Sequence, residues 1–323
     1  MSNQLSASSF LAPQDFLQAF YLTASAAILL VYLIPALNKR FLPYGARVPA
    51  QPVGGKDGSI RTFEPATGHQ RVSALLDRIA NAKVPHGWFI HFYIVSVLSS
   101  AFWAYQILTC GQLYSFFASF VPGSYDPNAC FRLAICWALL AIQGMRRLYE
   151  CLLQPSGSSK MWIGHYAIGI AFYLATGISI WIEGLPALKA FHSPESDHEP
   201  SKKSKIEPMT SFEYFGYILF IGASVEQHRV HKYFTSLRKY TMPTHGSFQR
   251  IVAPHYTHEC VIYTCLAFLS RPSGCYLNRT MTAALIFVII NLGISADGTK
   301  NWMRSKFGNQ SVIEKWRMVP GIW

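Results

Sequence analysis

Residues 129–153 read ACFRLAICWALLAIQGMRRLYECLL. The stretch is long and apolar enough to be a membrane-crossing helix, since a bilayer core takes roughly 20 mostly apolar residues. It nevertheless carries Arg132 near its start and Gln143, Arg146, Arg147 and Glu150 near its end. Ionisable groups inside a span are costly and mark a functional hypothesis by default. Arg147 and Glu150 stand three residues apart, share one helix face and can pair.

Six further apolar blocks flank this one, at about 15–37, 88–108, 161–182, 209–227, 257–270 and 277–295, with charges collected between them. Of the 323 residues, 51% are hydrophobic and 14% charged. Soluble domains average about 25% charged. This pattern predicts an all-α fold, a polytopic membrane helical bundle of about seven transmembrane helices, in one integral-membrane domain over residues 1–323. It excludes a disordered chain, a collagen-like repeat and a small disulfide-stapled scaffold. The seven cysteines form no Cys-x-x-Cys pair and mostly fall in spans, where a thiol behaves as a small hydrophobe.

With residue 1 outside the cytosol, the cytosolic segments 38–87, 154–160, 228–256 and 296–323 hold 19 of the 28 Lys and Arg residues. That bias puts the N-terminus outside and the C-terminus in the cytosol. It also accounts for the net charge of +12 without nucleic acid. The Pro- and Gly-rich stretch 44–70 reads as a loop or short amphipathic connector. The 183–208 loop, with Lys202, Lys203 and Lys205 among acidic residues, reads as a solvated excursion. Asn278-Arg-Thr is a glycosylation sequon that abuts a span.

Polar residues gather toward the cytosolic ends of several blocks. His91 and Tyr93 open the second, Glu226 to Lys232 close the fifth, and His255, Tyr256, His258 and Glu259 open the sixth. Asn291, Asp297 and Lys300 follow in the last. Together they predict a site open to the cytosol, with basic residues suited to a phosphate-rich ligand. The pairs His228/His231 and His255/His258 have a spacing a metal can use. A third cluster of the kind membrane di-iron enzymes need is missing, so no metal is expected. Neither a Gly-x-Gly-x-x-Gly nor a Gly-x-Ser-x-Gly occurs. A dinucleotide must therefore be held by the bundle itself.

The stretch 240–259, YTMPTHGSFQRIVAPHYTHE, resembles the cofactor segment of the steroid 5-alpha-reductase family. Tyr240, Pro243, Gly246, Phe248, Tyr256 and Glu259 fall on its pattern without a gap, as do the preceding Leu237, Arg238 and Lys239. Asn291, Trp302, Lys306, Phe307, Arg317 and Pro320 extend the likeness to the end of the chain. In the first half, WFIHFYIVSVL at 88–98 and Arg147-x-x-Glu150-Cys151 resemble the polyprenal (polyprenol) reductase branch. Three departures stand out: His255 replaces an Asn, His245 replaces a Gly, and Lys300-Asn301-Trp302-Met303 lacks a cofactor-side Tyr.

The resemblance implies seven helices, NADPH, a multi-pass endoplasmic reticulum location and reduction of a carbon–carbon double bond conjugated to a carbonyl. For this branch it implies the alpha-isoprene bond of a long polyprenoid, whose product feeds dolichol for protein N-glycosylation. On that reading, residues 1–160 line the lipid site and 209–323 bind the cofactor. Carried over by position, Gln227, His231, Arg238, Lys239, Tyr240, Phe248, His255, Tyr256, Glu259, Asn291, Lys300 and Trp302 are the candidate NADPH residues. His91, Tyr93 and Glu150 are the candidate catalytic residues, with Trp88, Phe92, Gln143 and Arg147 meeting the substrate. Phe92, Ala101, Phe102, Gly164, Gly169 and Phe172 are candidates to line the path of the lipid tail. No obligate protein partner is implied. The alternatives are another membrane enoyl or 3-oxo-steroid reductase, an enzyme like the isoprenylcysteine carboxyl methyltransferases, or a non-catalytic lipid-binding homologue.

Overall fold

The structure is a computed structural model and describes residues 12–43, 68–153, 159–193, 207–238 and 241–323. Helices dominate: α1 (Pro13–Leu33), α2 (Pro35–Phe41), α3 (Gly68–Ala80), α4 (Ile90–Leu108), α5 (Gln112–Ser119), α6 (Pro127–Leu153), α7 (Ile163–Ile182), α8 (Leu185–Phe191), α9 (Ser211–Ser236), α10 (Pro254–Leu269) and α11 (Arg279–Phe307). Five segments are long and apolar enough to cross a membrane: Pro13–Leu33, His86–Leu108, Pro127–Leu153, Ile163–Ile182 and Arg279–Phe307. The protein is a multi-pass helical membrane protein.

The two remaining predicted spans are helices of another character. Helix α10 has 16 residues, which at 1.5 Å per residue falls short of a hydrocarbon core of about 30 Å. Helix α9 has 26 residues but carries Glu226, Arg229 and Lys232 in its second half and packs along α10. Helix α11 runs twelve residues beyond the predicted end at 295, because Asp297 pairs with Arg317 there and Lys300 donates to the carbonyls of Ile313 and Lys315 instead of meeting lipid. Helices α5 and α8 occupy segments read as loops.

Helix ends follow local chemistry. Pro13 starts α1, where Asp15 accepts from the Ala12 N–H. Pro35 ends it, since the residue before a proline leaves the helical region. Thr210 and Glu213 form a capping box on α9, and Glu213 also receives Arg271 at 2.9 Å. Asn278 caps α11, its side chain accepting from Met281 N–H. That side chain is fully buried, so the sequon is structural.

Small residues let helices approach in a membrane. Ser96, Ser99 and Ser100 are buried on α4, which lies against both α6 and α7. Gly144 on α6 leaves room for the Ser96 hydroxyl, and Gly177 on α7 for that of Ser99. Tyr21, Phe172 and Phe287 join α1, α7 and α11 in the main core, with the Tyr21 hydroxyl bonded to Thr176 and Ser179. A two-stranded antiparallel hairpin, β1 (Lys83–Pro85) with β2 (Lys160–Trp162), ties the starts of α4 and α7 together. Strands of three residues carry too little periodicity to be read from sequence.

Candidate active site

Polar residues recur on α6 at 143, 146, 147 and 150. On α9 they recur at 224, 227, 228 and 231. Both series follow the i, i+3, i+4, i+7 spacing that places side chains on one helix face. The fold turns the two stripes toward each other. Ser224 donates to Gln143 Oε1 (2.8 Å), and Gln143 Nε2 to Gln227 Oε1 (2.9 Å). Arg146 Nη2 donates to both glutamine oxygens. Glu150 receives Arg146 and Arg147, and its two oxygens also meet His228 Nδ1 (2.7 Å) and His231 Nδ1 (2.8 Å). Gln227 passes the network to α10 through Glu259 and the His255 carbonyl. Buried charge is tolerable only when paired and hydrogen-bonded, and Glu150 has all of its neighbours in place.

Beside this network lies a cavity of about 180 Å³. Its polar wall holds Tyr93, Arg147, Gln227, His231, His255, Tyr256, Glu259 and Asn291. Its apolar wall holds Phe92 from α4, Ile168, Gly169 and Phe172 from α7, and Phe287, Val288 and Leu292 from α11. His86, Met161 and His165 line it at the hairpin end. Gly169 is needed there: an added Cβ would lie 2.6 Å from the tip of the Phe92 ring.

Tyr93 is the most directed group on the polar wall. Arg147 donates to its oxygen from Nη2 (2.8 Å) and Nε (3.2 Å), and the guanidinium lies 4.9 Å from its ring centre. With its oxygen accepting from a cation, the phenol keeps its own O–H to donate, and donates it more readily. Nearby, His255 Nδ1 is buried with no hydrogen-bond partner among the described residues. His255 packs against Tyr256, Phe234 and His231.

Of the residues assigned by sequence to catalysis, substrate or cofactor, the fold gathers nine on the cavity wall: Phe92, Tyr93, Arg147, Gln227, His231, His255, Tyr256, Glu259 and Asn291. Gln143 and Glu150 sit behind that wall and hold it. His91 and Trp88 are outside it: His91 Nδ1 meets the Tyr166 hydroxyl at 3.0 Å, and Trp88 packs on both rings. Phe248 is buried under Tyr233 and Phe234. Lys300 is buried and donates to the carbonyls of Ile313 and Lys315. Trp302 packs beside the buried Val252, Met303 and Val312. Arg238 is exposed just beyond α9, while Lys239 and Tyr240 lie outside the described residues. Of the tail-path candidates, Phe92, Gly169 and Phe172 line the cavity. Ala101 and Phe102 face outward and Gly164 lies beneath the Trp162 ring.

Ser224, Tyr173, His165, His86 and Ser295 were not anticipated. The polar stripe on α9 was the available signal for Ser224. His86, Tyr173 and His165 reach the cavity through the packing of α4 on α7 and the hairpin pairing, which leave no local mark in the sequence.

The C-terminal segment holds the loop ahead of α10. Val252 N–H donates to Trp316 O (2.8 Å), Trp316 N–H to Arg250 O (2.8 Å) and Ala253 N–H to Arg317 O (3.1 Å). Arg317 then pairs with Asp297 at 2.5 Å and covers the Trp323 ring. The start of α10, and with it His255 and Tyr256, is thereby set against α11.

Residues 197–323 match the family model described as 3-oxo-5-alpha-steroid 4-dehydrogenase. The C-terminal part of the chain is thus similar to the steroid 5-alpha-reductase family. The matched segment contains α9, α10 and α11, three of the helices around the cavity. Beyond it, the chain is 26% identical over 310 residues to a polyprenal reductase of Saccharomyces cerevisiae, covering 94% of both chains. It is 28% identical over 274 residues to polyprenal reductase 2 of Oryza sativa subsp. japonica, covering 71% of this chain and 76% of that one. The human polyprenal reductase is 24% identical over 325 residues, with 90% and 91% covered. These relatives are oxidoreductases by name, and two of the matches run through the N-terminal helices as well.

Proposed function

We propose that this protein reduces the alpha-isoprene double bond of a polyprenal, with NADPH as the hydride source. The observation that carries the proposal is the two-faced cavity, in which Tyr93, held by Arg147, faces a wall built for hydrocarbon. The names of the full-length relatives supply the substrate class. The family match supports a nicotinamide cofactor.

The chemistry needs a donor where negative charge develops. Adding hydride to the carbon beta to a carbonyl pushes charge onto the carbonyl oxygen, and a preorganised donor in a dry site stabilises it. Tyr93 has that role: its O–H meets the carbonyl oxygen while the Arg147 cation supports the phenol from behind. Glu150 is a positioning residue that fixes Arg147 and His231. The apolar wall of Phe92, Ile168, Phe172 and Phe287 excludes water and orients the isoprene unit. His231 and Tyr256 face the same space and are the candidates to deliver the proton to the alpha carbon.

For the cofactor, Glu259 and Asn291 offer an acceptor and an amide on the polar wall, and His255 adds a buried ring nitrogen without a partner among the described residues. That set fits a carboxamide, which both donates and accepts. The basic residues beyond α9, with Arg238 the one described and Lys239 beside it in sequence, are assigned to the phosphates. When bound, the nicotinamide supplies the hydride. The division of labour puts most lipid-facing groups in the N-terminal helices and α7, with Phe287 added from α11, and the cofactor groups in residues 209–323. The resemblance implies an endoplasmic reticulum protein, and the basic loops favour a lumenal N-terminus and a cytosolic C-terminus. The product then enters dolichol synthesis for N-glycosylation.

The test is NADPH consumption by the purified protein with polyprenal and polyprenol in parallel, with the lipid products analysed. Turnover of polyprenal to dolichal, and none of polyprenol, is the expected result, because an allylic alcohol lacks the carbonyl that takes up charge. Binding of NADPH without turnover of either lipid points to another enoyl substrate. Absence of NADPH binding refutes the reading.

A further inference from the structure

Helix α3 lies between the first two membrane-crossing segments, after Pro13–Leu33 and before His86–Leu108. Successive spans leave their connecting segment on one side of the bilayer, so α3 lies on that side. It is tied down from its middle to its C-terminal end. Arg40 of α2 donates to Asp77 (2.6 Å) and to the Ser73 hydroxyl (2.8 Å). At its C-terminal end Trp162 Nε1 donates to the Ile79 carbonyl (3.0 Å) and Ile163 N–H to Ala82 O (2.9 Å). Phe41 of α2 packs on the same Trp162 ring.

At about 100° per residue, Ser73, Asp77 and the buried Ala80 form the face turned to the protein. Val72, Leu75 and Ile79 form a neighbouring face that is 58%, 57% and 42% exposed. These values resemble those of side chains on the membrane-crossing helices, such as Leu33 at 70% and Leu98 at 63%. Arg71 and Arg78 border that face on its far side. A helix with a bare apolar strip edged by arginines suits the boundary between headgroups and acyl chains, where the strip is buried and the guanidinium groups meet phosphates.

We infer that α3 is an in-plane membrane helix whose Val72–Leu75–Ile79 face is seated in the lipid surface, with Arg71 and Arg78 on anionic headgroups. Two observations commit it to lipid. Its middle and C-terminal end are tied to α2 and to the start of α7, which flank spans on the same side, and the charge at its edge is basic like the rest of the 38–87 connection. The consequence reaches the cavity. The hairpin that receives α3 carries Met161, and His86 follows its first strand; both line the cavity. Seating α3 in the interface therefore holds the hairpin end of the cavity at headgroup depth, where a lipid with a polar head presents that head.

The test places a benzoylphenylalanine photo-crosslinker, one site at a time, at positions 72, 75 and 79, and at 70 and 74 on the opposite face. The full-length protein is held in nanodiscs of phosphatidylcholine with about a fifth phosphatidylserine. Only variants that melt like the parent protein are compared. Lipid adducts are expected at 72, 75 and 79, roughly tenfold above those at 70 and 74. Adducts to another segment of this chain or to a second copy, or equal lipid yields on both faces, overturn the proposal. The double variant Arg71→Gln with Arg78→Gln should lower the phosphatidylserine share of the adducts, and an unchanged share overturns the headgroup contact. Because the readout is lipid contact, its outcome is independent of which lipid the enzyme reduces.

Discussion

The polar wall, from α6, α9 and α10 with Tyr93 of α4 and Asn291 of α11, and the apolar wall from α4, α7 and α11 face each other across one cavity, but they are held by different means. On the polar side a chain of hydrogen bonds joins groups of α6, α9 and α10: Ser224 to Gln143, Gln143 to Gln227, Gln227 to Glu259, and Glu150 to two arginines and two histidines. On the apolar side the groups are fixed by shape alone, with the Phe92 ring filling the space Gly169 leaves. The polar wall should therefore fail abruptly when one member is removed, and the apolar wall should lose performance by degrees.

Removing Glu150 tests the first half most severely. Glu150→Gln leaves Arg146 and Arg147 without a counter-charge in a buried site. Breaking such a pair by deleting one partner costs about 3–5 kcal/mol. The expected outcome is a large drop in thermal midpoint in detergent. The double variant Glu150→Gln with Arg146→Gln should recover part of it. If Glu150→Gln melts like the parent protein, the network does not hold the wall.

Tyr93→Phe comes next. It keeps the ring and removes only the hydroxyl that Arg147 grips. Losing one preorganised donor lowers turnover by about 10²–10³-fold. A polyprenal assay should show that loss with the melting curve nearly unchanged. Full turnover would move the carbonyl contact to another residue on the wall, with Tyr256 the first to examine.

Gly169→Ala probes the apolar wall and should have the smallest effect. The new methyl collides with the Phe92 ring and forces it to shift. Overpacking of this kind costs about 1–3 kcal/mol. The expected result is a modest drop in melting temperature with a higher KM for polyprenal. An effect on kcat as large as that of Tyr93→Phe would mean the two walls are not separable.

Much of the site was legible because burial makes ionisable residues conspicuous. Arg147, Glu150, Gln227, His231 and Glu259 stood out as polar groups in or beside apolar blocks, and the fold brings them together. Resemblance to a family, which tracks position along the chain, also pointed to Lys300 and Trp302. The fold turns Lys300 to carbonyls of the C-terminal segment and Trp302 to a separate apolar cluster. His91 sits one residue from Phe92 and two from Tyr93, yet on a helix that is enough to turn it to another face, where it meets Tyr166.

By itself the sequence determined the class of the protein, because hydrophobic length against bilayer thickness is a property of each segment alone. It also determined which helices carry the buried charges. Tertiary structure decided the rest. That α6 and α9 zip together through matched polar stripes, that α10 is too short to span and packs along α9, and that His86, His165 and Tyr173 reach the cavity all depend on register between segments far apart in the chain. Such pairings are selected by the joint satisfaction of groups on two helices, and neither helix carries that information alone.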